Sequence, residues 1–224
     1  MTGVLRPGVR TYKPRRSRIT DRAARALVEH RDHLLDPTGG PLDLAAIFGP
    51  GVPVAVEVGF GDGRATAQMA AAEPGTGILA IDVHTPGVGE LLVRIDDAGL
   101  RNVAVIEGDA LAVLAERITP GSLTGLRSFF PDPWPKARHH KRRLVQPAVL
   151  DLVRSRLVPE GTWWLATDWT EYAESMQACF DADPHWSGGA VDRPQDRPET
   201  RYERRALRDG RPITDLVYRV RPTV

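Results

Sequence analysis

The stretch Val54-Ala-Val-Glu-Val-Gly-Phe-Gly-Asp-Gly63 decides the fold of this 224-residue chain. Its first five residues, mostly apolar, predict a buried parallel strand, and the glycines that follow predict a tight turn into a helix. Dinucleotide-binding folds also place glycines at this turn, but with the wider spacing G-x-G-x-x-G. Here the spacing is G-x-G-x-G and an acid, Glu57, lies inside the strand, which argues against a dinucleotide as the ligand.

The rest of the chain alternates segments of strand and helix character. This alternation predicts an α/β, Rossmann-like fold with a mostly parallel, seven-stranded sheet and helices on both faces. The last two strands are expected to form an antiparallel hairpin around Asp209-Gly210. Ligands in such folds bind outside the carboxyl ends of the strands. The predicted helices are 20–35, 64–73, 88–98, 110–117, one starting near 147, and 170–180; the predicted strands are 54–58, 78–82, 103–106, 126–130, 162–166, 201–205 and 213–220.

Composition places the chain among cytoplasmic proteins. No apolar run approaches the roughly 20 residues that span a bilayer, and the N-terminus lacks an apolar stretch of signal-peptide type. Cys179 is the only cysteine, so neither an internal disulfide nor a cysteine metal cluster can form. We expect no membrane partner and no metal. The predicted organisation is a basic N-terminal arm and helix over residues 1–50, followed by a catalytic domain over 51–224.

The N-terminal arm carries an uneven share of the charge. Residues 1–25 have a net charge of +7 although the whole chain carries +1, so the remainder is near −6. Such an arm favours a polyanionic partner, since arginine contacts with phosphates release condensed counterions. A tail that only keeps the protein soluble is the alternative. The basic residues of this segment are Arg6, Arg10, Lys13, Arg15, Arg16, Arg18, Arg22 and Arg25.

Acidic residues occur in register at the ends of three successive strands. Glu57-Val-Gly59-Phe-Gly61 resembles motif I of the class I S-adenosylmethionine-dependent methyltransferases. The resemblance implies that Gly59, Gly61 and Gly63 let the backbone approach the cofactor. It also implies that Asp82 binds the ribose hydroxyls and that Asp109 binds the adenine amino group. Solvated strand-end carboxylates are the alternative for each acid taken singly.

Phe129-Phe-Pro-Asp-Pro-Trp-Pro-Lys136 is the most informative stretch of the chain. It places Asp132 between two prolines at the carboxyl end of the fourth strand, where a fixed backbone would align two reactants. Trp134 either stacks on a base or packs at the rim. The basic run that follows starts where phosphates of a bound RNA would lie. Its neighbouring histidines lack the spacing of a metal site.

These segments together resemble the bacterial tRNA (guanine-N7)-methyltransferase family. The resemblance runs from about residue 54 to 220 and includes Asp82-Val-His-Thr-Pro-Gly-Val-Gly89, Ala166-Thr-Asp-Trp169 and Arg197-Pro-Glu-Thr-Arg-Tyr-Glu203. It implies S-adenosylmethionine as cofactor, with tRNA as partner and N7 of the guanosine at tRNA position 46 as target. The chain departs from the family's common residues at Asp82 (often Glu), Tyr202 (often Phe) and Ala206 (often Gly).

Site residues follow from this resemblance position by position. Cofactor contacts are implied for Glu57, Asp82, Asp109 and Asp132, with Asp132 as the catalytic residue. Either Asp132 or Asp168 would accept hydrogen bonds from guanine N1–H and N2–H. Guanosine and substrate contacts are implied for Lys136, Asp168, Thr200, Arg201, Tyr202 and Glu203, and RNA contacts for Arg138, His139, His140, Lys141, Arg142 and Arg143.

Three other functions compete with this hypothesis. An NAD-dependent dehydrogenase would need the wider glycine spacing, and an amino-modifying methyltransferase would carry Asp-Pro-Pro-Trp where this chain has Pro-Asp-Pro-Trp. An RNA-binding protein that keeps the fold without turnover is the non-enzymatic alternative. The oligomeric state, monomer or homodimer, is left open by the sequence.

Overall fold

A computed structural model describes residues 10–13 and 18–222 of the chain. Its eight strands form one sheet in the order β1-β4-β3-β2-β5-β6-β8-β7. The strands are β1 Leu34–Leu35, β2 Val54–Val58, β3 Gly77–Asp82, β4 Val103–Glu107, β5 Leu123–Phe129, β6 Leu157–Thr167, β7 Trp186–Val191 and β8 Thr214–Val220. The helices are α1 Asp21–Glu29, α2 Leu44–Phe48, α3 Arg64–Ala72, α4 Thr85–Ala98, α5 Ala110–Glu116, α6 Pro147–Arg156, α7 Thr170–Asp181 and α8 Arg201–Arg208.

The central strands are apolar on both faces because helices cover both sides of the sheet. In β3, Leu79 and Ile81 belong to the core shared with α5, α6 and α7. Ile78 and Ala80, which point the opposite way, belong to the core shared with α1, α3 and α4. All four side chains are fully buried. A strand that alternates between two cores has no polar face, which explains the near-continuous apolar runs in the sequence.

The order in which strands are added to the sheet reverses at β2. From β2 the chain builds β3 and β4 on one side and returns to place β5 on the other. The strands from β1 to β6 pair in parallel. The carboxyl ends of β2 and β5 therefore flank the topological switch point, where open α/β sheets bind their ligands.

The predicted fold class is confirmed, but the strand inventory needed correction. Among the described residues the sheet has eight strands and not seven. Residues 201–205, predicted as a strand, form the start of helix α8, since the Thr200 hydroxyl caps the helix by accepting from the Glu203 N–H at 3.1 Å. The Thr-x-x-Glu spacing is a helix-start signal that outweighed the strand-like appearance.

The antiparallel pair at the C-terminal end is also built from different strands. Its members are β7 and β8, and β8 pairs antiparallel with β6 as well. Strand β7 is not predicted from the sequence because Gly188-Gly189 interrupts its pattern of strand-forming residues. Gly188 is required there, since a Cβ would lie 2.1 Å from the Val217 carbonyl oxygen. Strand β1 has only two residues, too few for a periodic signal.

The helix predicted over 20–35 starts as expected and ends early. Thr20 caps α1 by accepting from the Ala23 N–H at 3.1 Å, and the helix stops at Glu29. A 3-10 turn then leads to Leu34–Leu35, which pairs with Val105 and Ile106 of β4. Helix α1 packs on α4 where Gly89 meets Ala23. Most of the predicted arm, residues 1–9 and 14–17, lies outside the described residues.

Candidate active site

A cavity of about 870 Å³, measured out to its open mouth, lies at the topological switch point. Its walls come from the turn after β2, the end of β3 and the loop after β5. Residues 11–13 and the first turn of α8 close the remaining sides. A smaller cavity of about 360 Å³ adjoins it behind Gly59 and Gly61. The larger cavity lies where open α/β folds bind their ligands.

The glycines after β2 divide into two that face the cavity and one that does not. Gly59 and Gly61 line it with positive φ angles of 79° and 67°, which residues with a Cβ rarely adopt. Gly63, expected at the cofactor, caps α3 instead, and a Cβ there would lie 2.6 Å from the Leu91 Cβ. Gly87, which sequence reasoning missed, lets α4 approach so closely that a Cβ would lie 2.0 Å from the Gly61 carbonyl oxygen.

Asp82, at the end of β3, braces the glycine turn from the cavity wall. Its carboxylate accepts from the backbone N–H of Gly61 at 2.9 Å and of His84 at 3.0 Å. Burial raises the pKa of this carboxyl, and the two N–H donors oppose the rise. Asp109 has a different position, since its side chain caps α5 at the Leu111 N–H. Its neighbours Gly108 and Ala110 line the cavity.

Glu57 is buried beneath the glycine turn. Only 3% of the residue is exposed, it lines the smaller cavity, and its Oε2 has no hydrogen-bond partner among the described residues. Burial raises the pKa of this carboxyl to about 7, while the neighbouring Thr66 hydroxyl and then the charge of Arg127 act in the opposite direction. A buried oxygen without a partner is expensive unless a ligand supplies a donor. Glu57 therefore fits a contact with a cationic or hydrogen-bond-donating group.

The loop after β5 holds Asp132 in the cavity wall through an unusual backbone. Phe130 and Trp134 have positive φ angles of 56° and 45°, on either side of Pro131-Asp-Pro133. Non-glycine residues adopt this region rarely, and such strain concentrates at functional sites. The prolines in the sequence predict a rigid backbone here. The positive φ angles of Phe130 and Trp134 could not be predicted and are seen only in the structure.

The described part of the arm, residues 10–13, lies on this loop. The Lys13 N–H donates to Asp132 Oδ2 at 2.9 Å. The Trp134 indole N–H donates to the Thr11 carbonyl at 3.2 Å, and the Lys13 ammonium lies 4.9 Å from the Trp134 ring centre. Trp134 is only 4% exposed. In this conformation it packs at the rim and presents no open face for a base.

Helix α8 brings Arg201 and Tyr202 to the cavity. Both line it, and the Arg201 guanidinium donates to the Tyr202 hydroxyl at 2.7 Å. The Tyr202 ring stacks on Phe130 with ring centres 6.4 Å apart. Thr200 reaches only the smaller cavity, as the helix cap.

Glu203, for which a substrate contact is expected, faces the interior and does not line either cavity. It accepts from Arg197 at 2.7 and 2.9 Å and from Arg193 at 2.7 Å. Arg197 also donates to Asp215 at 3.1 Å. Burial opposes ionisation of Glu203, but hydrogen bonds from the two arginines prevail and lower its pKa. These residues fix α8 against β8.

Known methyltransferases are similar to this chain in sequence over most of its length. A family model described as "Putative methyltransferase" matches residues 52–216. A tRNA (guanine-N(7)-)-methyltransferase of Streptomyces avermitilis is 49% identical over 217 residues, which cover 94% of this chain and 75% of the relative. One from Halorhodospira halophila is 44% identical over 220 residues, or 95% of each chain. This chain belongs to the tRNA (guanine-N(7)-)-methyltransferase family.

Solved structures agree on the fold. The antibiotic-resistance methyltransferase Kmr matches with a TM-score of 0.56 and 19% identity, covering 84% of this chain and 95% of that one. The 16S rRNA methyltransferase KamB matches with a TM-score of 0.57 and 15% identity, covering 82% and 96%. At these identities the likeness concerns the methyltransferase fold alone.

The basic segment expected to bind RNA in this family member is only partly accessible. Lys136, Arg138 and Lys141 are exposed, at and around a 3-10 helix over Ala137–Arg142. The half-buried Arg142 lies 4.3 Å from the Trp134 ring centre. His139 meets the same ring edge-on, and burial together with the surrounding cations lowers its pKa. His140 is half-buried.

Arg143, for which an RNA contact is expected, is buried and bonded to protein groups. It is 2% exposed, donates to the Pro133 carbonyl at 3.0 Å and forms a two-pronged ion pair with Glu171. Its guanidinium also lies 4.7 Å from the Tyr172 ring centre. No surface remains for a phosphate. Arg143 instead anchors the Asp132 loop to helix α7.

Asp168 does not line the cavity and is held by Arg211. Arg211 also contacts Asp209 at 3.0 Å, so the carboxylate at the end of β6 is tied to the end of α8. Of the two aspartates proposed for guanine, only Asp132 is in the cavity wall.

Two kinds of feature are absent from the described part of the chain. No helix there has the length and apolar character needed to cross a bilayer. No group of three or more His, Cys, Asp or Glu side chains in the same residues is arranged as metal ligands would be.

Proposed function

We propose that this chain methylates N7 of the guanosine at position 46, in the variable loop of tRNA. It is an S-adenosylmethionine-dependent methyltransferase, as its family membership implies. The observation that carries the proposal is the position of Asp132. Its strained, proline-flanked loop places it in the same cavity as Asp82 and the start of α8.

The residues of the cavity fit the cofactor. Gly59 and Gly61 offer close backbone approach, and Asp82 offers a carboxylate at the end of β3. The buried Glu57 Oε2, without a partner among the described residues, offers an acceptor beneath them. When bound, S-adenosylmethionine supplies an electrophilic sulfonium methyl group. The alternative cofactor, a nicotinamide dinucleotide, does not fit the G-x-G-x-G spacing.

The chain's own task is to position the base. Guanine N7 has a lone pair and carries no proton at neutral pH, so no general base is required. Rate enhancement then depends on alignment of N7 with the methyl group. Methylation leaves positive charge on the purine, which a fixed carboxylate stabilises. We assign this role to Asp132, which would accept from guanine N1–H and N2–H, and give Asp168 a structural role with Arg211.

The two aromatic residues beside Asp132 complete the base site. Phe130 lines the cavity and stacks on Tyr202, which lines it too. Flat rings offer the sequence-tolerant stacking surface that an extruded base uses. Lys136 and Arg138, exposed just beyond Asp132, would receive the adjoining phosphates.

The test uses purified protein, labelled S-adenosylmethionine and unmodified tRNA transcripts, followed by digestion and mass spectrometry of the nucleosides. We expect 7-methylguanosine from a transcript with guanosine at position 46 and none from the matched transcript with adenosine there. Equal methylation of both transcripts would refute the position. Cofactor and tRNA binding without any methyl transfer would favour the RNA-binding alternative.

A further inference from the structure

Helix α8 presents a continuous arginine face. Arg201, Arg204, Arg205 and Arg208 follow the three- and four-residue spacing that places side chains on one side of a helix. All four are exposed, whereas Glu203 and Ala206, on the opposite side, are buried. We call these four residues the α8 arginine face.

Little of this positive charge is neutralised by the protein. Arg208 has no ion pair among the described residues, and Arg205 lies 3.8 Å from Asp209, which Arg211 already contacts at 3.0 Å. Arg204 pairs with Glu199 at 3.1 Å, but both side chains are about half exposed (47% and 48%), where such pairs are weak. The acid within the helix, Glu203, is paired internally with Arg197.

The position of the face connects it to the active site. Arg201 and Tyr202 line the cavity, so the helix begins at the cavity wall, and its eight residues span about 12 Å. The partly exposed 3-10 helix over Ala137–Arg142 follows the Asp132 loop. Two basic segments therefore extend from the walls of one cavity, on a body whose net charge outside residues 1–25 is near −6.

We propose that the α8 arginine face binds phosphates of the RNA whose target base enters the cavity. This inference rests on the proposed function, because it takes the substrate to be tRNA. Guanidinium groups match phosphate oxygens with two parallel hydrogen bonds. Four arginines in a row on one helix can contact several successive phosphates of an RNA backbone, whereas a single arginine cannot. The face thus adds a second phosphate-binding surface to that of residues 136–142.

The test compares two double variants that each remove two positive charges. Arg205→Gln/Arg208→Gln alters the far half of the face and leaves the cavity-lining Arg201 in place. Arg101→Gln/Arg219→Gln is the matched control. Arg101 precedes β4. Arg219 of β8 pairs with Thr162 of β6, which is level with Gly125 near the start of β5, so both exposed arginines lie toward the amino ends of the parallel strands, away from the cavity.

The measurement is the dissociation constant of full-length protein for a tRNA transcript, by fluorescence anisotropy over a range of KCl concentrations. Each lost phosphate contact makes the slope of log K against log salt less negative by about 0.7–0.9. We therefore expect the α8 variant to change the slope by about 1.5 and to bind about tenfold more weakly at low salt, with the control unchanged. S-adenosylmethionine affinity, measured by calorimetry, should match the wild type in both.

Two outcomes overturn the inference. One is an α8 variant whose salt slope and affinity match those of the control, which would leave an acidic protein surface as the candidate occupant. The other is an equal loss in both variants, which would show a general charge effect. Failure of the proposed function would give a different result, namely a wild-type protein that forms no 7-methylguanosine. The salt slopes of tRNA binding are measured without turnover, so they test the inference separately.

Discussion

We expect Glu57 to make the cofactor-free protein less stable as the pH rises. The ordinary pKa of 4.5 rises to about 7 in the folded chain because the carboxyl is buried. Between these values the folded state holds a proton that the unfolded state has released, so the free energy of unfolding falls as the pH increases. One unit corresponds to about 1.4 kcal/mol, so the loss between pH 4.5 and 8 is about 3 kcal/mol.

Glu57→Gln removes this ionisation and keeps the size of the side chain. We expect the variant to lack the loss, so that its stability relative to wild type improves by about 2.5 kcal/mol between pH 5 and pH 8. Any pH-independent effect of the amide cancels in this difference. Urea unfolding of the cofactor-free proteins at the two pH values measures it.

The control is Glu116→Gln, which neutralises an exposed glutamate at the end of α5. Its pH profile should follow that of the wild type. If the profile of Glu57→Gln also runs parallel to the wild type, to within about 1 kcal/mol, burial does not hold the Glu57 proton and the reasoning fails.

Three further predictions concern the site. Asp132→Asn should lower kcat for tRNA about a hundredfold with an unchanged melting temperature, because the amide cannot accept from both guanine donors; near-normal turnover would contradict its role. Arg143→Gln should lower the free energy of unfolding by roughly 2 kcal/mol and leave the salt slope of tRNA binding unchanged, because the ion pair of Arg143 with the half-exposed Glu171 is structural. Arg142→Gln, measured in the same way, is the comparison variant. Gly87→Ala should weaken S-adenosylmethionine binding at least tenfold in calorimetry, whereas Gly75→Ala, whose Cβ meets no atom within 4 Å, should not.

How well an element can be predicted from the sequence depends on whether neighbouring or distant residues determine it. The strand–turn–helix at 54–63 and the alternation that follows were predicted correctly from local patterns. The prediction of a strand at the start of helix α8 is wrong although the Thr200-x-x-Glu203 start signal is local, because the alternation of strands and helices along the chain favours a strand there. Strand β1 exists only because β4 offers it a partner.

The sequence by itself determined the fold class, the family and the position of Asp82 and Asp132 at strand ends, because strand polarity carries both acids to one edge of the sheet. Only the tertiary structure decided which neighbouring polar residues face the cavity. It buried Arg143 and Glu203 in ion pairs and tied Asp168 to Arg211. It also brought Lys13 to Asp132, 119 residues away along the chain. Burial and charge pairing depend on which distant residues meet, and that information is not contained in any single motif.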